Sequence, residues 1–176
     1  IINQYQSISN IKKNNYFELL VKIKEPLNNL NNLIGMNELK NDILDQILFY
    51  IQNLHVKNGM EYMHTVLCGP PGTGKTEVAK IIGTIFAQLG ILKNNSFTKV
   101  VRADLIAGYL GQTAIKTTKV IENSLGGVLF IDEAYALGNE EKRDSFAKEC
   151  IDTLCEGLSN HKDNLMVIIA GYENEL

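Results

Sequence analysis

An α/β fold, with a parallel sheet covered by helices on both faces, is predicted by three features of the chain. Short apolar runs alternate with segments of helical periodicity from about Leu33 onward. A glycine-rich loop, Gly69-Pro-Pro-Gly-Thr-Gly-Lys75-Thr76, stands where a strand gives way to a helix. An unbroken apolar run, Val128-Leu-Phe-Ile131, ends in Asp132-Glu133. A run without polar alternation suits a strand buried on both faces, and alternating strands and helices imply right-handed crossovers in a three-layer αβα arrangement.

Taken in order, residues 1–30 are rich in Asn and Lys, with a helical patch at Tyr16–Lys24 broken by Pro26. They read as a partly helical leader or linker before a domain spanning 31–176, and their compositional bias points to no function. Leu39, Ile43, Ile47 and Ile51, flanked by Leu44, Leu48 and Leu54, make a wide apolar stripe on a helix for which Asn37 is the expected N-cap. Met63–Cys68 is strand-like, with Cys68 expected to fill a strand position. Val78, Ala79, Ile82, Ile85, Phe86 and Leu89 recur at helical spacing until Gly90, which should close that helix. Phe97–Arg102 reads as a second strand, Thr113–Leu125 and Arg143–Leu158 as helices, and Leu165–Ala170 as a buried strand.

The loop fits the pattern G-x-x-x-x-G-K-[ST], which binds phosphate when it follows a strand and opens a helix. A triphosphate must be met by donors before it leaves water. Gly69, Gly72 and Gly74 allow backbone N–H groups to point inward, Pro70 and Pro71 stiffen the entry, and the helix dipole adds a positive field. Thr73 and Glu77 complete the stretch expected around the nucleotide. Lys75 would reach the β- and γ-phosphates, and the Thr76 hydroxyl would ligate Mg2+. Asp132 and Glu133, at the C-terminal end of a parallel strand, should lie beside that loop. Asp132 would hold Mg2+ through its waters, and Glu133 would orient and deprotonate the attacking water. Enzymes that transfer phosphoryl groups to small substrates less often pair the loop with Asp-Glu, so hydrolysis of ATP is the favoured reaction.

With both motifs in place, the chain resembles the AAA+ ATPases, P-loop NTPases, from about Leu33 to its last residue. Ile34-Gly35 looks like the family's adenine-contacting segment, and Tyr109-Leu110-Gly111 like its first pore loop. Asp132-Glu-Ala-Tyr-Ala-Leu137 and Ile168-Ile-Ala-Gly-Tyr172 are similar to the branch that includes the red-type Rubisco activase CbbX and the sporulation protein SpoVK. Gly171-Tyr172 departs from the Asn or Thr usual for a first γ-phosphate sensor, which leaves that residue unassigned. The resemblance implies a phosphate-loop strand lying beside the neighbour of the Asp-Glu strand, ATP with Mg2+ as ligands, a ring oligomer, most often a hexamer, and a protein client gripped by Tyr109 and Leu110. It also implies a chain that stops before the last strand, the arginine finger and the helical lid. Arg102 and Arg143 are the only arginines. Because an arginine finger is worth on the order of 10³ to 10⁵ in rate, turnover by these residues alone is expected to be slow.

At 176 residues, 45% hydrophobic and 21% charged, the chain can bury one α/β core. A formal charge of −3 and a pI near 5.6 give no electrostatic reason to expect nucleic acid, whose binding is built largely on basic patches, which disfavours a nucleic-acid partner without excluding one. Cys68, Cys150 and Cys155 lack metal-ligand spacing and suggest reduced thiols. No apolar run has transmembrane length and no signal peptide is visible, so a soluble intracellular setting without membrane contact is expected, although the chain begins at Ile1 without a methionine and reads as a possible excised fragment. The charge-rich stretch Gly138–Asp144 reads equally as a solvated loop or a second channel-facing loop. Two function classes stay open: an ATP-driven remodeller of a protein client, or a nucleotide-gated scaffold or nucleic-acid loader in which hydrolysis only resets the state.

Overall fold

The computed structural model describes residues 15–54, 63–109, 111–138 and 144–172. Helices α1 (Asn15–Lys22), α2 (Lys24–Asn32) and α3 (Asn37–Ile51) precede strand β1 (Thr65–Cys68) and helix α4 (Lys75–Gln88). Strand β2 (Phe97–Val100), a single turn α5 (Arg102–Leu105) and helix α6 (Thr113–Asn123) follow. Strand β3 (Val128–Ile131), a 3₁₀ turn (Ala134–Leu137), helix α7 (Ser145–Asn160) and strand β4 (Met166–Gly171) complete the order.

All pairings in the sheet are parallel, in the order β1-β4-β3-β2. The predicted fold is therefore the observed one. Period-two alternation divides β3 and β4 between two cores: Val128, Phe130, Met166, Ile168 and Ala170 face one, Leu129, Ile131 and Val167 the other. This explains why neither strand shows a polar face. The first core takes Ile43 and Ile47 of α3 and Ile82, Ile85 and Phe86 of α4; the second takes Leu105, Ile121, Cys150 and Leu154 of α5 to α7. β1 pairs with β4 as expected, and no strand lies on its other side among the described residues.

Several boundaries differ from the sequence reading for identifiable reasons. Asn37 is the first residue of α3 and not its cap; Met36 occupies the cap position in the left-handed region, φ 55°, next to Gly35 at φ 74°. Two consecutive left-handed residues turn the chain into the helix, and Lys40 Nζ fastens the turn by donating to the Asn31 and Leu33 carbonyls at 3.1 and 2.6 Å. The break assigned to Pro26 falls at Ile23, because proline has no N–H for the Lys22 carbonyl and lies in the first turn of α2, where it is tolerated. From Asn15 the leader segment is two helices, and its Ile23 and Leu30 belong to the first core. β2 stops at Val100 and not Arg102, since the Asp104 carboxylate accepts the Val101 N–H at 2.9 Å and starts α5. α7 starts at Ser145, capped by Asp144 Oδ1, which accepts the Phe146 and Ala147 N–H groups at 3.0 and 3.1 Å. Arg143 lies outside the described residues. Cys68 is exposed and fills no core position.

The end of α4 follows expectation in detail. Gly90 N–H donates to the Ala87 carbonyl and Ile91 N–H to the Phe86 carbonyl, both at 3.0 Å, the paired bonds of a Schellman closure. Midway along the same helix Gly83 allows a close approach to the sheet: a Cβ there would stand 2.7 Å from Val128 Cγ2. Val128 is β-branched and buried, so it has little room to yield. Replacing Gly83 by Val should lower the unfolding free energy by about 1–3 kcal/mol, read as a lower urea midpoint at unchanged slope. An unchanged midpoint would show that α4 lifts from the sheet at no cost.

Candidate functional site

Parallel pairing places the C-terminal ends of β1, β3 and β4 along one edge of the sheet. From β1 the chain enters the glycine loop, and the Gly69 N–H still donates to the Gly171 carbonyl at 3.1 Å, tying the loop's first residue to the end of β4. Gly72 and Gly74 take φ values of 75° and 87°, which a side chain would resist, and α4 begins with Lys75. Thr73 Oγ1 donates to the Pro70 carbonyl at 2.8 Å. Lys75 Nζ donates to the carbonyls of Gly69 and Pro70 at 2.6 and 2.8 Å and lies 5.7 Å from the centre of the Tyr172 ring.

These elements enclose a cavity of about 360 Å³ lined by residues 71–76, Asp132, Glu133, Tyr135, Gly171 and Tyr172. Lys75, Thr76, Asp132 and Glu133 are thus brought together as the sequence led one to expect. Asp132 is anchored by its N–H to the Val100 carbonyl at 2.9 Å, and its Oδ1 accepts the Glu133 N–H at 3.1 Å. Its Oδ2 pairs with Lys99 Nζ at 2.6 Å. Glu133 itself sits in the left-handed region at φ 53°, an uncommon conformation for a residue with a side chain and one that concentrates at functional sites. Tyr135 and Tyr172 stack across the cavity wall, centroids 4.9 Å apart and planes 28° from parallel.

A second cavity of about 420 Å³ lies against the other side of the loop, with Met36, Leu39, Val66, Leu67, Cys68 and Val78 giving it an apolar lining beside Gly69, Pro70, Thr73 and Lys75. Ile34, 96% exposed, and Gly35 line neither cavity; the residues that follow them, Met36 to Leu39, do. Glu77 also lines neither, and pairs with Lys80 at 4.0 Å on the exposed face of α4. Tyr109, 80% exposed, and Gly111, at φ 74°, stand apart from both cavities between α5 and α6, while Leu110 lies outside the described residues. Of the stretch Gly138–Asp144, residues 139–143 also lie outside them.

Met36 and Lys99 carry no spacing signal, whereas Tyr135 and Tyr172 fall within the two branch-like stretches that give neither ring a role. A lysine inside a strand expected to be covered was the one available hint for Lys99. Behind the site, Arg102 Nη1 donates to the Ala136 carbonyl at 2.7 Å while Nη2 pairs with Asp144, clipping the turn after Glu133 to the start of α7. The Arg102 guanidinium, then the N–H groups at the helix start, hold the Asp144 carboxyl below its ordinary value. Burial pushes the Cys150 thiol up, against the hydrogen bond from Thr117, and no disulfide forms among the described residues.

A family model for the "ATPase family associated with various cellular activities (AAA)" matches residues 65–176. The chain belongs to the AAA family. A cfxQ-like protein of Acanthamoeba polyphaga mimivirus is 42% identical over 159 residues, covering 90% of this chain and 39% of that protein. Stage V sporulation protein K of Bacillus subtilis is 38% identical, covering 88% and 49%, and ESX-1 secretion system protein EccA1 of Mycobacterium tuberculosis is 40% identical, covering 84% and 27%. The first two agree with the branch inferred from Asp132–Leu137 and Ile168–Tyr172. This AAA chain spans less than half the length of each of these relatives. A crystal structure of the FIGL-1 AAA domain in complex with ADP shares the fold at TM-score 0.57 and 23% identity, covering 82% of this chain and 49% of that one. Among the described residues no helix is long and apolar enough to cross a membrane.

The direction of the Asp144 shift fixes a sign. A carboxyl depressed in the folded state stabilises above its unfolded value, about 3.9, and that contribution is lost as pH falls through the lower folded value. Asp144→Ala should therefore destabilise the protein near neutrality, and the gap from wild type should narrow on acidification below about pH 4, followed by thermal melts across a pH series.

Proposed function

We propose that this chain binds ATP with Mg2+ and hydrolyses it, serving as the motor domain of a ring oligomer, most simply a hexamer, that remodels a protein client. The observation that carries this is the convergence of Lys75, Thr76, Asp132 and Glu133 on one cavity at the edge of a parallel sheet. The donor set fits Mg2+: the Thr76 hydroxyl and the Asp132 carboxylate both offer oxygen, suited to a hard cation that shares phosphate oxygens and keeps water. Thr76 and Asp132 would hold the ion, which would screen the phosphate charge when bound.

The chain's own groups account for the rest. Lys75 exchanges its bonds to the Gly69 and Pro70 carbonyls for phosphate oxygens, while N–H groups of residues 72–76 at the start of α4 face the same anion. Glu133 is exposed at the cavity rim, where its carboxylate accepts a proton from water as that water's oxygen attacks the γ-phosphorus and the bond to the leaving ADP oxygen breaks. The apolar cavity beside the loop suits the purine, with Met36 and Val78 on its walls and Ile34-Gly35 immediately preceding Met36 in the chain. In this reading the 176 residues alone turn over slowly for want of an arginine finger supplied in trans; Arg102 is itself engaged by the Ala136 carbonyl and Asp144. The exposed ring of Tyr109 beside Gly111 favours client handling over a purely scaffolding role, and the net charge of −3 weighs against a nucleic-acid loader.

MgATP at about a hundred times its dissociation constant should add about 2.7 kcal/mol of stability in a melting scan, and Lys75→Ala should erase the shift. Glu133→Gln should keep the shift and lose hydrolysis by about a hundredfold or more. A wild-type protein that melts at the same temperature with and without MgATP would remove the basis of the proposal. Separately, Tyr109→Ala should retain basal ATPase and lose its stimulation by a client polypeptide; loss of nucleotide binding in that variant would contradict the placement of Tyr109 outside the site.

A further inference from the structure

Asp132 has both carboxylate oxygens engaged, one by the Glu133 N–H and the other by the ammonium group of Lys99. No motif marks Lys99. It stands on β2 in register opposite Phe130, two residues before Asp132, and its Nζ lies 6.0 Å from the centre of the Phe130 ring, which helps to hold the stem along β3. The strand end that presents Asp132 is fixed to β2 by the bond from Asp132 N–H to the Val100 carbonyl, so the carboxylate and the ammonium meet by register.

We propose that Lys99 is a positioning residue that sets the magnesium demand of the site: its ammonium is a built-in counter-cation to Asp132 and competes with the divalent ion for that carboxylate. The inference rests on the reading of the cavity as a Mg-nucleotide site. A unit positive charge 2.6 Å from a carboxylate oxygen cancels much of the field that would draw a second cation to the same group. The pair is also breakable. Lys99 keeps 47% of its side chain exposed against 21% for Asp132, so its ammonium regains water when it swings aside, and half-exposed pairs of this kind contribute little to folding. The pair therefore acts mainly on what else Asp132 can hold. It also keeps the Asp132 carboxylate from facing Glu133 as an uncompensated like charge before the divalent ion arrives.

The test compares the intact chain with its Lys99→Met and Lys99→Arg variants, using a fluorescent, non-hydrolysable ATP analogue titrated with MgCl2 at fixed nucleotide, and again in EDTA. Lys99→Met should lower the half-saturating magnesium concentration roughly three- to tenfold while leaving affinity in EDTA within about twofold. Lys99→Arg, which keeps the charge, should retain the wild-type midpoint. Raising the ionic strength should shrink the difference. A purely structural role would move both affinities together, and that result, or a midpoint that stays put or rises in Lys99→Met, would overturn the inference. Should Lys99→Met fail to fold, Lys99→Gln carries the same comparison. A wild-type chain that takes up no analogue at any magnesium level would overturn the nucleotide reading and this inference with it; uptake with equal midpoints overturns this inference alone.

Discussion

Everything at the candidate site depends on the side-by-side parallel pairing of β1 with β4 and of β4 with β3. Parallel strands end on the same edge, so the loop after β1, the carboxylates after β3 and the tyrosine after β4 become neighbours although they come from residues far apart in the chain. The Gly69 N–H to Gly171 carbonyl bond extends this pairing one residue beyond β1 and fixes where the loop begins. A slip of one residue between these strands would turn every side chain of β4 to the opposite core, which the alternation of Met166, Ile168 and Ala170 against Val167 forbids. Hydrophobic burial on two faces thus determines the position of polar groups at the edge.

The parts legible in the sequence were those whose signal is local. Glycines at fixed offsets before Lys75-Thr76, an apolar run ending in two carboxylates, and Gly90 after a helical stripe each announce their own geometry. Illegible parts depend on what lies across space. Met36 takes the cap position that Asn37 would fill by composition, because the turn through Gly35 and Met36 is anchored by Lys40 reaching back to α2. Lys99 meets Asp132 only through the β2–β3 register, and the Tyr135–Tyr172 stack only through the β3–β4 pairing. The segment before Leu33 hides its contribution for another reason: its composition is polar, yet Ile23, at the break between α1 and α2, and Leu30 of α2 are buried in the first core. Asp144 was within the stretch read as charged loop, and its capping role became visible only with the Phe146 and Ala147 N–H groups in place.

Around Glu133 the backbone is unusual in conformation and well secured. Its left-handed φ begins the 3₁₀ turn, and that turn is held at Ala136 by Arg102. Arg102 also belongs to α5, the turn that leads towards Tyr109, and to the ion pair that starts α7. A single side chain therefore joins the segment after the carboxylates, the approach to the exposed tyrosine and the N-terminus of a long helix. That arrangement ties the three segments to one another through one guanidinium group.

The tight seat of α4 on the sheet has a consequence for motion. At Gly83 the helix backbone is pressed against Val128, at the root of the strand that carries Asp132, and packed interiors compress little. Loop helix and carboxylate strand must accordingly travel as one rigid body. Any displacement of that body relative to the rest of the domain would have to be taken up sideways, in the short connections at the rim, where turns can pivot.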